Sequence, residues 1–469
     1  MAGTPFSSVD AAWLRMEDPT NLMMVTGVLM FEERLDPRRL REVIEERLLS
    51  FPRFGQRVQG PPLGIGTPVW VSDDRFDLDA HLHRRALPQP GDKESLEALV
   101  SDLMSTPLDF SKPLWQVHLV DYGAGSVVVA RIHHCIADGI ALIQVLLSLT
   151  DTTREPGPRS VLDQPETPAG GPWPALPRAV GRLAEAGLGL LRDPSRALGT
   201  AALGAAAAGT LAQLAMLPAD PSTPLKGKLG VRKRAAWSEP ISLAEVKAAG
   251  AREGATINDV LVAATAGGLR RYLVARGQDV NDLEIRVAVP VNLRPLDRET
   301  ELGNQFGIVF LPLPIGVADG RQRVLEAKRR MDELKASLQP AVAMGVLSLL
   351  GYAPRRVQPL AVEFFGSKAS AVLTNVPGPR EQLYLAGSPL ASTMFWVPQS
   401  GRLGLGISIL SYNGQVLLGV ASDAGLVPDP ERIVSEFEAD LAQLIKAPRP
   451  RKAPRRKRAG EQAPEAPNG

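Results

Sequence analysis

Val127–Leu146 reads VVVARIHHCIADGIALIQVL. The β-branched run Val127, Val128, Val129 and Ile132 predicts a strand, Asp138-Gly139 a break, and the apolar segment behind it a helix. Two of the chain's five histidines, His133 and His134, stand where the strand ends. An imidazole at the end of a rigid strand suits general base work, because its unperturbed pKa lies near operating pH. Successive strand residues point to opposite faces, so His133 and His134 do not serve the same reacting atom. The same geometry argues against one metal ion held by both, and no Cys/His cluster with zinc spacing stands elsewhere. The bland alternative is a buried, hydrogen-bonded His pair with Asp138 as N-cap of the next helix. Taken alone, these residues leave both readings open.

The remainder of the chain bounds the answer. Its 469 residues, 44% hydrophobic, suffice for two domains with sizeable cores. A formal net charge of +2 points to no polyanion partner. The charge is unevenly spread. From Lys446 onward there are eight basic residues against Glu461 and Glu465, which leaves 45 of 53 basic and 49 of 51 acidic residues in the body, a charge of about −4. This tail, 447–469, is Pro- and Arg-rich and is expected to be disordered. Attachment to anionic lipid headgroups and simple solubilisation are its two readings, and the lack of aromatic partners speaks against nucleic acid. The single cysteine, Cys135, excludes an intramolecular disulfide. It lies on the far face from His134 and reads as packing rather than nucleophile. The start of the chain lacks the basic and apolar pattern of a signal peptide, so a cytoplasmic location is expected.

In chain order, Ser8 is expected to cap a helix through Met16, and Met23 to Phe31 reads as a strand. Asp36-Pro37 opens a helix with Leu40, Val43, Ile44 and Leu48 at helical spacing. A helix near 93–104 and strands at 115–120 and 125–133 complete a first α/β half, 1–150. Residues 151–223 form a Pro/Ala/Gly-rich crossover in which 178–217 reads as helical. No charge falls between Arg196 and Asp220, yet Ala, Gly and Thr dominate, short of the apolarity of a spanning helix. A buried or bridging helix is expected, with an interfacial helix touching lipid as the other reading. A second half, 224–446, opens with capping patterns at Ser242/Glu245 and Thr256/Asp259. Its strands are read at 285–291, 308–313, 369–374, 393–397, 404–411 and 415–421, with a last helix over 430–445.

The string HHCIADG fits His-His-three residues-Asp-Gly, and other landmarks accompany it. They are SSVDAAWLRMED at Ser7–Asp18, FDLDAHLHRRALPQPG at Phe76–Gly91, PLW at Pro113–Trp115, NDV at Asn258–Val260, PVNLRP at Pro290–Pro295, GNQFG at Gly303–Gly307, TNVPGP at Thr374–Pro379 and SYNG at Ser411–Gly414 with Ser422-Asp423. In this order the chain resembles CoA-dependent acyltransferases related to chloramphenicol acetyltransferase and peptide-synthetase condensation domains. More narrowly it resembles the bacterial wax ester synthase/diacylglycerol acyltransferase family. The resemblance implies an α/β, two-layer α+β fold: two chloramphenicol-acetyltransferase-like halves joined by the long helical crossover, with a reaction tunnel between them.

It further implies transfer of a fatty acyl group from acyl-CoA to diacylglycerol, with long-chain alcohol as the second acceptor, and no bound cofactor beyond the co-substrate acyl-CoA. His134 takes the role of base and His133 a structural one. Asp138, beside Gly139, is implied to pair with Arg294, a planar fork suited to a carboxylate. Asn258, in the first turn of its helix, is placed to donate to an oxyanion or orient the thioester. Thr374 and Asn375 are expected along the tunnel, and Pro113, Leu114 and Trp115 at its entrance or in the packing. No Gly-rich phosphate loop is evident. A peripheral site on the inner face of the plasma membrane or on lipid inclusions is expected, while the oligomeric state is open. A non-catalytic lipid-binding protein and a carrier-dependent condensation enzyme are the alternatives.

Overall fold

The computed structural model describes residues 3–61, 66–155, 201–293, 304, 306–335, 337, 339, 342–343, 345–346, 362–364, 366–399, 401 and 403–448. The first half runs β1 (Thr4–Pro5), α1 (Ser8–Arg15), β2 (Met24–Phe31), α2 (Pro37–Val43) with a π-helical turn at Ile44–Leu48, β3 (Gln56–Gln59), β4 (Val69–Ser72), β5 (Leu82–Arg85), α3 (Lys93–Ser105), β6 (Trp115–Tyr122), β7 (Gly125–His133) and α4 (Gly139–Ser148). After α5 (Ala201–Met216), the second half runs β8 (Lys233–Trp237), β9 (Ile241–Ser242), α6 (Leu243–Arg252), α7 (Ile257–Ala275), β10 (Ile285–Asn292), β11 (Phe306–Leu313), α8 (Gly320–Lys335), β12 (Ala371–Pro377), β13 (Tyr384–Leu385), β14 (Ser388–Trp396), β15 (Leu405–Tyr412), β16 (Gln415–Asp423) and α9 (Pro430–Lys446).

Two large mixed sheets result. The first has the order β13-β14-β2-β7-β6-β5 and the second β11-β10-β12-β15-β16-β8, with β9 also on β16; β1, β4 and β3 form a small third sheet. All nine residues of β7 are buried. A central strand covered on both faces has no reason to alternate polar and apolar side chains, which is why 127–132 reads as a continuous apolar run broken only by Arg131. In the second sheet β10, β12 and β15 are parallel neighbours. Helices α7 to α9 cover this sheet and α6 packs on α7 and α9; α8 and α9 are pinned by the buried pair Arg323–Asp440.

The hydrogen bonding crosses the boundaries read from composition. Strands β13 and β14 belong by sequence to the 224–446 half, yet β14 pairs antiparallel with β2, from Leu390 opposite Phe31 to Trp396 opposite Thr26. Their chain position gave no sign of this, because a strand's partner is chosen by tertiary packing. Where β14 passes over β16, a Cβ on Gly419 would come 2.7 Å from Met394 Sδ and 2.8 Å from Trp396 Nε1, so only glycine permits this approach.

A second seam protects the edge of β8. Helix α3 presents Glu97, Ser101 and Ser105 at four-residue spacing, one face of a helix. Their oxygens accept the alternate main-chain N–H groups of Trp237 (3.3 Å), Ala235 (2.9 Å) and Lys233 (2.8 Å). The exposed ladder of an edge strand is thereby closed by a helix from the other half. Burial pushes the Glu97 carboxyl up to about 7, against the opposing pull of the Trp237 amide.

Several expectations shift in detail. Ser7 rather than Ser8 caps α1, because its Oγ lies 3.0 Å from the Asp10 amide. Short strands β3, β4, β5 and β8 were not foreseen, being too brief for periodicity to mark. The crossover helix is described as Ala201–Met216; its expected start at 178 and the tail beyond 448 lie outside the described residues. No helix among the described residues is long and apolar enough to cross a membrane.

Candidate active site

The strand-turn-helix of the opening motif turns two adjacent histidines into different environments. His133 closes β7: its N–H donates to Leu114 O, its Nδ1 accepts the Cys135 amide at 3.1 Å, and its Nε2 lies 3.4 Å from Glu17 Oε2. Phe110 meets its ring edge-on, with centroids 5.7 Å apart. His133 therefore shapes the turn. Cys135 is fully buried and burial holds its thiol well above the ordinary value, so it is no nucleophile.

His134, 3% exposed, faces the other way. Its ring stacks on Trp13 of α1, centroids 4.1 Å apart at 24°, and Phe306 of β11 lies 5.7 Å from both rings. The main chain is held as well: the His134 N–H donates to Met23 O at 2.8 Å and its carbonyl accepts Asn304 Nδ2 at 2.9 Å. Nδ1 is buried without a hydrogen-bonding partner among the described residues. Burial pulls this imidazole down to about 3, helped by neighbouring His133, so it is neutral at ordinary pH and keeps a lone pair.

Asp138 is the N-cap of α4, with Oδ1 accepting the Ala141 amide at 2.9 Å and its carbonyl the Leu142 amide. Gly139 follows where a Cβ would come 3.0 Å from Val397 Cγ1. The proposed partner Arg294 lies outside the described residues.

In the second half, Thr256 and Asp259 form a reciprocal capping box at the start of α7. Asn258, in that first turn, has its Oδ1 fixed by Asn375 Nδ2 at 2.7 Å, while its own Nδ2 is buried without a partner among the described residues. A donor so presented, backed by a helix N-terminus, matches what a developing negative charge requires. Thr374 Oγ1 bonds Ser408 Oγ at 3.0 Å. Asn375 lies two residues before the end of β12, Asn292 ends its parallel neighbour β10, and Phe306 pairs with Asn292 at the start of β11. Asn375, with Asn258 bonded to it, and Phe306, with the His134 ring against it, thus both lie toward the carboxyl ends of the parallel strands β12 and β10, where sheets of this kind leave room for ligands.

The PLW residues lie in the packing, one of the two places expected for them. Pro113 and Leu114 are buried. Trp115 donates Nε1–H to Phe54 O at 2.8 Å and stacks on His81 (4.5 Å), which stacks on Phe76 and bonds Trp115 O. The FDLDAHL and PLW landmarks are one packed unit. A small apolar cavity of about 30 Å³ lies between the sheets, bordered by Leu146 of α4, Gly378, Pro379 and Leu410. The larger cleft, about 470 Å³, is lined by Leu214, Phe310, Arg330 and their neighbours and holds none of the residues named above.

Sequence reasoning assigned no role to Asp10, Trp13, Glu17, Asn304 or Phe306. The signal lay inside two quoted landmarks, SSVDAAWLRMED and GNQFG, with Asp10 and Trp13 three apart on one helical face.

Comparison with known proteins agrees along the whole chain. Residues 6–261 match the model of the wax ester synthase/diacylglycerol acyltransferase catalytic domain, and residues 302–445 that of the WS/DGAT C-terminal domain. A putative diacylglycerol O-acyltransferase of Mycobacterium tuberculosis, Rv1760, is 29% identical over 94% of this chain and 89% of its own length. The probable diacylglycerol O-acyltransferase tgs1 of the same organism is 28% identical over 96% of this chain and 98% of its own. Among solved structures, the wax ester synthase/diacylglycerol acyltransferase from Marinobacter aquaeolei VT8 superposes with a TM-score of 0.67 at 24% identity, covering 94% and 98% of the two chains. The first condensation domain of the calcium-dependent antibiotic synthetase gives 0.63 at 14% identity, covering 96% and 97%. These two likenesses carry the fold.

Proposed function

The chain belongs to the wax ester synthase/diacylglycerol acyltransferase family, and from that premise we propose that it moves a fatty acyl group from acyl-CoA to the hydroxyl of diacylglycerol. The product is triacylglycerol; long-chain alcohols serve as second acceptors and give wax esters. The observation that carries the mechanism is the buried, neutral His134 imidazole, stacked on Trp13.

His134 takes the proton of the acceptor hydroxyl while that oxygen attacks the thioester carbon. The carbonyl oxygen becomes an oxyanion, and Asn258 Nδ2 with the first turn of α7 donates to it. The intermediate collapses with cleavage of the C–S bond, and the imidazolium returns its proton to the departing CoA thiolate. Base catalysis of this kind contributes about 10² to 10⁴ in rate, so positioning and oxyanion stabilisation supply the remainder. A dry site makes the imidazole a weak base at rest. The charge pair that develops in the transition state offsets this, and the Trp13 face attracts the imidazolium. Asp138 and Gly139 hold the start of α4, and His133 holds the turn. Acyl-CoA is a co-substrate, and the water-insoluble acceptor is met at a membrane or lipid-inclusion surface reached from the cytoplasm.

The test is acceptor-dependent CoA release from palmitoyl-CoA, with dioleoylglycerol and hexadecanol offered separately and His134→Ala run in parallel. Ester product that disappears in the variant supports the proposal and ranks the acceptors. Folded protein that binds lipid but releases no CoA with either acceptor refutes it in favour of lipid binding, and unchanged turnover by His134→Ala refutes the mechanism.

A further inference from the structure

Asp10 is a carboxylate with 1% exposure in a region with little to gain from it. Its main-chain N–H completes the Ser7 cap, a task that needs no acidic side chain. The side chain is spent elsewhere: Oδ1 accepts Asn304 Nδ2 at 2.8 Å, across 294 positions of sequence. Burial raises the Asp10 carboxyl; the bond from Asn304 counters this first, then Ser7, then Arg53, whose Nη1 stands 3.8 Å away. A primary amide has two N–H groups, and Asn304 commits both, one to Asp10 and one to the His134 carbonyl at 2.9 Å. Three residues on from Asp10, on the same face of α1, Trp13 lies flat on the His134 ring. One helix face therefore holds His134 twice, by its main chain through Asn304 and by its ring through Trp13.

We propose that Asp10 and Asn304 are positioning residues for His134, and that with Trp13 they form a clamp that fixes the imidazole's place and plane for proton transfer. The inference rests on the acyltransferase reading for its kinetic meaning. The clamp itself is a statement about geometry. A side chain truncated at Asp10 frees the Asn304 amide to rotate, and the His134 carbonyl loses its oriented donor. Asp10 acts on the imidazole through its neighbours, while the Asn304 amide also bears on the ring, where it opposes the stronger downward pull of burial.

The kinetic arm compares Asp10→Ala and Asp10→Asn in the full chain with palmitoyl-CoA and dioleoylglycerol. Asp10→Ala is expected to lower kcat by about 10- to 100-fold, the usual consequence of a misplaced catalytic group, with KM for both substrates within about twofold. Asp10→Asn keeps an oxygen for Asn304 and is expected to stay within about threefold of wild-type kcat. Where Asp10→Ala does not fold, Trp13→Leu against Trp13→Phe carries the same test: Leu fills space without a face, so kcat falls about tenfold, while Phe restores the stack and the rate. Equal kcat within either pair overturns the clamp, as does a loss no larger than the loss of folded protein.

The second arm needs no activity. The His134 ring signal in NMR, assigned by its absence from His134→Ala, is expected to be narrow and displaced by the Trp13 ring current. It broadens or moves in Asp10→Ala and keeps its place in Asp10→Asn. A signal unchanged in Asp10→Ala overturns the clamp. Wild-type protein that transfers no acyl group overturns the acyltransferase reading, and the NMR arm then judges the clamp alone.

Discussion

Glu97→Gln is expected to stabilise the protein above neutral pH and to leave it unchanged below pH 4.5. In the seam between the halves, Glu97 accepts the Trp237 amide at 3.3 Å from a partly buried position on α3. Burial lifts its carboxyl from the ordinary 4.5 to about 7, so the folded state holds the proton more tightly than the unfolded chain. Stability linked to that proton is fully present below pH 4.5 and is lost as pH rises through 7. The shift corresponds to on the order of 3 kcal/mol, and partial exposure reduces the expectation to on the order of 2 kcal/mol. A glutamine carries no charge at any pH, and its Oε1 still accepts from Trp237. Urea unfolding of both proteins at pH 5 and pH 8, with equal m-values, measures the difference. Subtracting wild type from variant cancels the histidines, which titrate alike in both. A gain of about 1 kcal/mol or less at pH 5 and of about 2 to 3 kcal/mol at pH 8 is expected. A variant less stable than wild type at pH 8, or a difference that does not change with pH, refutes the reasoning: the charged carboxylate would then be worth more to the Trp237 amide and to nearby Lys93 and Arg234 than its burial costs.

Other consequences are as specific. The His134 imidazole and the equally buried His118 are both held down to about 3, below their unfolded value near 6.5, so their contribution to stability is complete above pH 6.5 and is lost as pH falls toward 3. Turnover per folded molecule is therefore expected to stay flat between pH 8 and pH 5 with no inflection near 6.5, while urea midpoints decline below 6.5; a kinetic pKa near 6.5 would show a solvated base instead. Asp440→Ala strands the Arg323 guanidinium, which is 3% exposed and bonded to both carboxylate oxygens. A loss of about 3 to 5 kcal/mol is expected in urea unfolding, and a loss under 1 kcal/mol would show that water reaches the pair.

The sequence by itself determined whatever depends on near neighbours. The strand of β7, the Asp138 cap of α4, the Thr256/Asp259 box and the opposite facing of His133 and His134 follow from spacings of one to four residues, and the motif order disclosed the family and its two-sheet fold. Even there local rules have a limit: Trp115, read as tunnel or packing, packs against Phe54 and His81 because a ring of its size is satisfied wherever a carbonyl and two aromatic faces converge. Only the tertiary structure decided that β14 joins the first sheet, that Glu97, Ser101 and Ser105 close the edge of β8, and that Asp10, Trp13, Asn304 and Phe306 surround His134. A hydrogen bond between positions 294 apart leaves no periodicity in the chain. An acidic residue in a first turn is written the same way whether it caps its own helix or reaches across the molecule to hold an amide, and what separates the two is the packing that brings Asn304 within 2.8 Å.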